Sequence, residues 1–182
     1  MNLAILNRLV LRAKREKPPA ELLSVCGEYY SPYYHFMYLA ACEIDRLLLV
    51  ELGTETGRGL ISLALSGRRV LGIDHIKRPE IDEVLFHFPN AWFFKSSSLP
   101  VPAFFELATI GLLHIDTEHS EAQAREEFEA YKPYLRSRAV VIFDDLNAMD
   151  NAVGKYFESL PYSKIRDDDL HPSCGWGVLL YE

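Results

Sequence analysis

Acidic residues close four apolar runs of the sequence, and they are the side chains whose spacing could support chemistry. The runs end at Glu51, Asp74, Asp116 and the pair Asp144-Asp145. A carboxylate can accept hydrogen bonds from two neighbouring hydroxyl groups, coordinate a divalent cation or exchange a proton. Because ligands of open parallel sheets bind beyond the carboxyl ends of the strands, these positions predict one shared site.

The first carboxylate opens a glycine-rich loop. Gly53, Gly57 and Gly59 follow Glu51, and glycine permits a tight turn and a close approach of the backbone to a ligand. The first amides of the next helix point into the same crevice. The loop lacks both the G-x-G-x-x-G spacing of a nicotinamide site and the Gly-Lys-Ser or Gly-Lys-Thr of a phosphate-binding loop. Glu55, inside the loop, would repel a pyrophosphate but tolerate a sulfonium.

Apolar strands and amphipathic helices alternate along most of the chain. Five strand–helix alternations predict an α/β fold with a doubly wound parallel sheet, and the tail over 162–181 reads as two closing strands. Residues 139–143 predict the fifth strand, with residues 135–138 as the loop before it. Asp74 follows the glycine loop at about the distance of twenty residues expected for a carboxylate that binds ribose hydroxyls.

Length, charge and cysteine content restrict the class of protein. With 182 residues the chain is expected to form one domain, and its net charge of −7 argues against binding nucleic acid or an anionic membrane. The three cysteines show no framework spacing, which predicts free thiols in a reducing compartment. No apolar run has the length of a transmembrane helix, and we expect a cytoplasmic location.

The N-terminal residues differ from the rest of the pattern. We expect a helical cap over 1–40 and a cofactor-binding core over 41–182 of the single domain. The apolar face of the first helix packs on the chain's own domain or on a partner subunit, which is compatible with a homodimer. Five tyrosines stand within 28–38. They either line a pocket for a flat or sugar-like substrate or belong to a core-packing helix.

Four segments in this order resemble the class I S-adenosylmethionine-dependent methyltransferases. They are 50–59, 72–74, 114–120 and 141–145. Within that class, residues 45–182 are most similar to bacterial small-molecule O-methyltransferases, the group that includes macrocin-type sugar methyltransferases and cephalosporin-hydroxylase-like proteins. The resemblance implies a Rossmann-like, mostly parallel sheet of seven strands with an antiparallel closing strand.

The same resemblance assigns residues to S-adenosylmethionine. It implies that Asp74 binds the ribose and that the segment 96–97 lies beside the adenine, where many relatives carry an acidic residue and this chain has serines. The residues expected to bind the cofactor are Glu51, Gly53, Thr54, Gly57, Gly59, Asp74, Ser97 and Asp116.

The resemblance also implies a metal site and a base. Asp116, Asp144 and Asp145 would hold Mg²⁺, which lowers the pKa of an acceptor hydroxyl and orients it. The alternative is that these aspartates only cap the segments that follow them. Glu118 and His119 are the candidate bases, and His119 has an intrinsic pKa suited to work near neutrality. His114, inside a strand, is interpreted as a core histidine with satisfied hydrogen bonds.

The sequence therefore predicts methyl transfer from S-adenosylmethionine to a hydroxyl of a small molecule, with assistance from Mg²⁺. Two alternatives stay open. One is a non-catalytic protein that keeps the cofactor pocket for binding or scaffolding. The other is a nicotinamide-dependent oxidoreductase, against which the glycine spacing argues.

Overall fold

The chain forms a seven-stranded sheet with helices packed on both faces. The computed structural model describes residues 1–45 and 47–182, and of Glu28 it describes only the backbone. The strands are β1 (Leu48–Leu52), β2 (Val70–Asp74), β3 (Ala91–Lys95), β4 (Ile110–Ile115), β5 (Leu135–Asp144), β6 (Lys164–Arg166) and β7 (Trp176–Tyr181).

The strand order is β3-β2-β1-β4-β5-β7-β6. Strands β1 to β5 are mutually parallel, and β7 runs antiparallel to both β5 and β6. The order reverses between β1 and β4, and this reversal opens a crevice at the carboxyl ends of the strands. The predicted doubly wound sheet with an antiparallel closing strand is confirmed.

Seven helices surround this sheet in the described part of the chain. They are α1 (Leu3–Arg15), α2 (Ala20–Cys26), α3 (Pro32–Cys42), α4 (Arg58–Ala64), α5 (Glu80–His87), α6 (Glu121–Tyr131) and α7 (Ala148–Ser159), with short 3₁₀ turns at Gly27–Tyr29 and Lys132–Tyr134. Helix α6 begins at a capping serine, because the Ser120 hydroxyl accepts a hydrogen bond from the Gln123 amide at 3.2 Å. None of the helices within the described residues is long and apolar enough to cross a bilayer.

The central strands are buried on both faces because they alternate between two hydrophobic clusters, whereas the edge strands β3 and β6 are partly exposed. In β1, Leu49 faces a cluster with α1, α3 and α4, whereas Val50 faces a cluster with α6 and α7. Such two-sided burial explains the wholly apolar strands of the sequence. This packing fixes the positions of the strands' carboxyl ends, so the side chains that follow the strands lie along one edge of the sheet.

Strand β5 begins earlier than the sequence pattern predicts. Leu135 pairs with Ile110 and is buried, so the segment expected to be a loop extends the strand. The ladder is irregular between Ile110 and Leu112, and Arg138 has a positive φ of 65°. One residue of β4 between these two positions lies opposite four residues of β5, so the irregularity lengthens β5 without moving its buried end.

The N-terminal helices pack against the sheet and its closing strands. Helix α1 contacts α3, and Lys14 forms ion pairs with Asp167 at 2.7 Å and Asp169 at 3.1 Å. Tyr33 of α3 is 1% exposed, and its ring lies 5.7 Å from that of Trp176. The division into a cap over 1–40 and a core over 41–182 stays a prediction.

Candidate functional site

A cleft of about 710 Å³ opens at the carboxyl ends of the parallel strands. This volume lies within the range of small-molecule sites. The sequence-predicted residues that line it are Gly53, Asp74, Ser97, Asp116, Glu118, His119, Asp144 and Asp145. The other four predicted residues, Glu51, Thr54, Gly57 and Gly59, are buried behind this lining.

The glycine loop forms the wall between β1 and β4. Gly53 has a φ of 81°, and a Cβ atom at this position would stand 1.7 Å from the Asp116 carbonyl oxygen. Only glycine can therefore let the loop after β1 touch the loop after β4. This close contact places Asp116 beside the glycine loop, in the middle of the cleft.

Glu51 lies beneath the cleft in a buried hydrogen-bond network. Its Oε1 atom accepts a hydrogen bond from His114 Nδ1 at 3.1 Å, and His114 Nε2 lies 2.5 Å from the Tyr33 hydroxyl. Because a carboxylate only accepts, Nδ1 carries the proton and Nε2 accepts from Tyr33. Both ring nitrogens of His114 have partners, which agrees with its interpretation as a satisfied core histidine.

The start of α4 rests on this buried carboxylate. A Cβ atom on Gly59 would lie 1.8 Å from Glu51 Oε1, so a glycine is needed where the helix crosses the side chain. Burial raises the pKa of Glu51, and the hydrogen bond from His114 opposes that rise. The second oxygen, Oε2, makes no hydrogen bond within the described residues, although the Thr54 hydroxyl is near enough to favour the ionised form.

Asp74 ends β2 with its carboxylate fixed at the cleft. Its Oδ2 atom accepts from the Glu55 amide at 2.9 Å, and Oδ1 accepts from the Ile76 amide at 2.9 Å. The His75 ring lies 3.1 Å from Oδ1. Each carboxylate oxygen offers two lone pairs, so a rigidly held Asp74 can still accept hydrogen bonds from a ligand's hydroxyl groups.

The β5 end of the cleft is crowded with carboxylates. Asp116 lies within 4.8 Å of ligand atoms in two groups, one with His114 and Asp144 and the other with His119 and Asp145. Burial, and then repulsion by Asp144, raises the pKa of Asp116 well above its usual range. Both ring nitrogens of His114 are already hydrogen-bonded. The groups that could coordinate a cation are therefore the aspartates and His119.

Asp145 is stabilised in its charged form by two neighbours. Although burial opposes ionisation, hydrogen bonds from His119 and Cys174 lower the pKa of Asp145. In return the hydrogen bond to Asp145 raises the pKa of His119, against the effect of burial. His119 and Asp145 therefore form a histidine–aspartate pair that faces the cleft.

Two lining residues from the β6–β7 connection were missed by the sequence interpretation. His171 Nε2 lies 3.7 Å from Asp144 Oδ1, its ring stacks on Tyr33 at 5.1 Å, and Cys174 reaches Asp145. Both residues come from a polar loop whose sequence spacing carries no motif, so only the folded chain brings them here. They close the cleft at its β5 end.

The β3 end of the cleft carries a different network, built around the buried carboxylate of Glu127 on α6. Oε1 accepts from the Ser98 hydroxyl at 2.5 Å and from Gln123 Nε2 at 2.8 Å, while Oε2 accepts from the Thr117 hydroxyl at 2.8 Å. Burial raises the pKa of Glu127, and these three donors oppose the rise. The sequence interpretation missed Gln123 and Glu127, whose helical spacing looks like that of any amphipathic helix.

The fold and cleft define a class I methyltransferase architecture. Residues 50–146 match a family model described as a methyltransferase domain. The match spans more than half of the 182 residues. The chain belongs to this methyltransferase family. No curated protein sequence matches the chain.

Three solved structures illustrate the likeness in fold. An O-methyltransferase from Bacillus cereus, in complex with SAH, is 14% identical with a TM-score of 0.65, over 100% of this chain and 92% of that chain. TomG from Streptomyces achromogenes, an O-methyltransferase of tomaymycin synthesis in complex with SAM, is 16% identical with a TM-score of 0.65, over 99% and 98%. CalS11, a TDP-rhamnose 3'-O-methyltransferase of calicheamicin biosynthesis, is 18% identical with a TM-score of 0.65, over 98% and 93%. At these identities the likeness shows the fold alone.

Proposed function

We propose that the protein transfers a methyl group from S-adenosylmethionine to a hydroxyl group of a small molecule, with the assistance of a divalent cation. The observation that carries the proposal is the arrangement of carboxylates along one cleft. Asp74 lies at the end of β2, Asp116 follows β4, and Asp144 and Asp145 lie at the end of β5. This order supports one position for the ribose, at Asp74, and a separate position for the reacting hydroxyl.

The lining of the cleft suits a cationic cofactor without phosphate groups. Its acidic side chains are Glu55, Asp74, Asp116, Glu118, Asp144 and Asp145, against a single arginine, Arg78, in the described lining. Arg78 is itself 3.6 Å from Glu55. A pyrophosphate would be repelled here, whereas a sulfonium and an amino group would be attracted. This supports S-adenosylmethionine over a nicotinamide dinucleotide.

The crowded carboxylates also fit a divalent cation. Asp116, Asp144 and Asp145 would hold it, and a cation would relieve the repulsion that, together with the larger effect of burial, raises the pKa of Asp116. Oxygen ligands of this kind suit Mg²⁺. When bound, the cation would lower the pKa of the acceptor hydroxyl. The histidine–aspartate pair supports His119 Nε2 as the acceptor of the hydroxyl proton, with Asp145 orienting the ring at Nδ1.

Further proposals concern the methyl acceptor, the subgroup of the family, the cellular location and the oligomeric state. The net charge of −7 supports a small hydroxylated acceptor rather than a nucleic acid or a membrane surface. Membership of the macrocin-type and cephalosporin-hydroxylase-like group, a cytoplasmic location and a homodimer remain proposals on the sequence features given above.

Calorimetric titration with S-adenosylmethionine, in the presence and absence of Mg²⁺, tests this proposal. We expect saturable binding that Asp74→Asn weakens by about tenfold, because an amide cannot accept from both ribose hydroxyls as a carboxylate does. The matched control is Asp82→Asn, an exposed acidic residue on α5 that pairs with Lys77 outside the cleft.

The outcomes separate the parts of the proposal. Absence of binding by the wild-type protein would overturn the assignment of the cofactor. Binding and turnover that are indifferent to Mg²⁺ and to Asp144→Ala would remove only the metal. Tight cofactor binding without methylation of any hydroxylated acceptor would favour the non-catalytic alternative.

A further inference from the structure

The hydrogen-bond network around Glu127 borders the cleft but contains none of the cofactor-binding residues that the family resemblance implies. Glu127 is 0% exposed, although it carries a carboxylate. Its two oxygens receive the Ser98 hydroxyl, the Gln123 amide group and the Thr117 hydroxyl. All three donors line or border the cleft, whereas Glu127 itself does not. The buried carboxylate therefore acts on the cleft only through the groups that it holds.

Glu127 fixes the orientation of the Gln123 amide. Gln123 Nε2 donates to Glu127 Oε1 at 2.8 Å and to Ser98 Oγ at 3.3 Å. A carboxylate cannot accept from a carbonyl oxygen, so the amide has one chemically sensible orientation. Its carbonyl oxygen, Oε1, is turned away from Glu127, and the structure gives it no donor among the residues it describes. Gln123 lines the cleft, and its carbonyl oxygen is the atom of the amide that keeps its hydrogen-bonding capacity for a ligand.

The strand end beside this acceptor carries Ser96 and Ser97 and no acidic residue. Ser97 stands in the cleft lining there, and its hydroxyl accepts from the Leu99 amide at 3.3 Å. An adenine in this part of the cleft presents an exocyclic amino group, which needs an acceptor. Glu127 cannot serve directly, because its oxygens are occupied and buried.

We infer that Gln123 reads the exocyclic amino group of the cofactor's adenine, and that Glu127 is the positioning residue that keeps the Gln123 carbonyl oxygen facing it. The inference rests on the proposed use of S-adenosylmethionine and deepens it. It moves adenine recognition from the end of β3 to the first turn of α6. The cofactor is then selected for an amino group at this position over a 6-oxo group, which would bring two acceptors together.

Paired calorimetric titrations of the full chain test the inference. The two probes are S-adenosylhomocysteine and its 6-oxo analogue, S-inosylhomocysteine. For the wild-type protein we expect binding of the 6-oxo analogue to be weaker by about tenfold or more, because a made hydrogen bond becomes an unfavourable contact between acceptors. Gln123→Ala should reduce this ratio to about threefold or less, mainly by weakening S-adenosylhomocysteine.

Two more variants separate a positioning role from a structural one. Glu127→Gln keeps the size of the side chain but lets the Gln123 amide adopt either orientation, so the ratio should fall even where the variant stays folded. Glu126→Gln, at an exposed position of the same helix, should leave the ratio unchanged. Circular dichroism confirms that each variant is folded before it is titrated.

The outcomes distinguish this inference from the proposed function. If the wild-type protein binds S-adenosylhomocysteine but does not discriminate, or if Gln123→Ala keeps the full ratio, the role of Gln123 is overturned while the cofactor assignment stands. If the wild-type protein binds neither probe, the proposed function fails, and the inference fails with it.

Discussion

The two ends of the cleft use buried carboxylates in opposite ways. At the β3 end, Glu127 receives three donors from the protein and is complete without a ligand. At the β5 end, Asp116 faces Asp144 and Asp145, and burial followed by repulsion from these carboxylates raises the pKa of Asp116. One end is organised by its own hydrogen bonds, and the other has an excess of negative charge that the surrounding histidines only partly balance. In the proposed function, the first end selects the adenine of the cofactor and the second end binds a divalent cation.

We expect the largest change in stability when the hydrogen-bond donors at the β3 end lose the Glu127 carboxylate. Glu127→Ala should lower the free energy of unfolding by about 3 kcal/mol, because it leaves the buried Ser98 hydroxyl and the partly buried Thr117 hydroxyl and Gln123 amide without their acceptor. Chemical denaturation measures this change. Glu126→Ala, exposed on the same helix, should stay within about 0.5 kcal/mol of wild type. Equal stability of the two variants would contradict the organising role of Glu127.

A divalent cation should affect only the β5 end. Mg²⁺ or Mn²⁺ at about 100 times its dissociation constant should stabilise the wild-type protein by about 2.7 kcal/mol. For a chain of this length that corresponds to a rise in Tm of roughly 5 to 10 °C. Asp116→Asn should abolish the rise in a thermal-shift experiment, whereas Glu127→Gln should keep it. A rise that survives Asp116→Asn would place the cation elsewhere.

Neutralising one carboxylate of the β5 end should stabilise the cation-free protein. Asp144→Asn removes one of the like charges around Asp116 and keeps an oxygen for the Asp145 amide, which donates to Asp144 Oδ1 at 2.8 Å. We expect a gain of about 1 kcal/mol in the free energy of unfolding in the presence of a chelator. The same substitution should remove the stabilisation by Mg²⁺. A loss of stability in chelator would show that the charges are already compensated.

The smallest expected effect is a dependence on pH at the β3 end. Burial raises the pKa of Glu127 in the folded protein above its ordinary value of 4.5, so the folded state binds the proton more tightly than the unfolded state. Stability relative to Glu127→Gln should therefore be highest below pH 4.5 and fall as the pH rises through the folded-state pKa. Denaturation of both proteins from pH 4.5 to about 7.5 measures the difference. A rising difference would mean that the three donors outweigh burial.

The fold and the acidic residues of the cleft could be predicted from local sequence patterns. Apolar runs that end in Asp74, Asp116 and Asp144 describe strands whose carboxyl ends must meet, because parallel strands buried on both faces leave no other arrangement. The spacing after Glu51 predicted the glycine loop in the same way. Gly53 meets the Asp116 carbonyl oxygen only because the strands β1 and β4 are neighbours.

Contacts between segments that are distant in sequence could not be predicted from such patterns. Glu51 has the spacing of a cofactor ligand, and only the folded chain shows that its side chain is buried and hydrogen-bonded to His114. Residues of the β6–β7 connection reach the aspartates from a loop without a motif. The segment before residue 139, which was predicted to be a loop, belongs to strand β5 because Leu135 is buried and pairs with Ile110.

The sequence by itself determined the order of the strands' chemistry: a glycine loop, then a carboxylate after each of three further strands, because each of these features is a local pattern of a few residues. The tertiary structure decided which carboxylates are exposed to a ligand and which are completed by the protein. That decision depends on packing between segments far apart in the chain, such as Ser98 and Glu127 or His114 and Tyr33. Burial and hydrogen-bond partners set the charge and orientation of a side chain, and neither is encoded in its immediate neighbours.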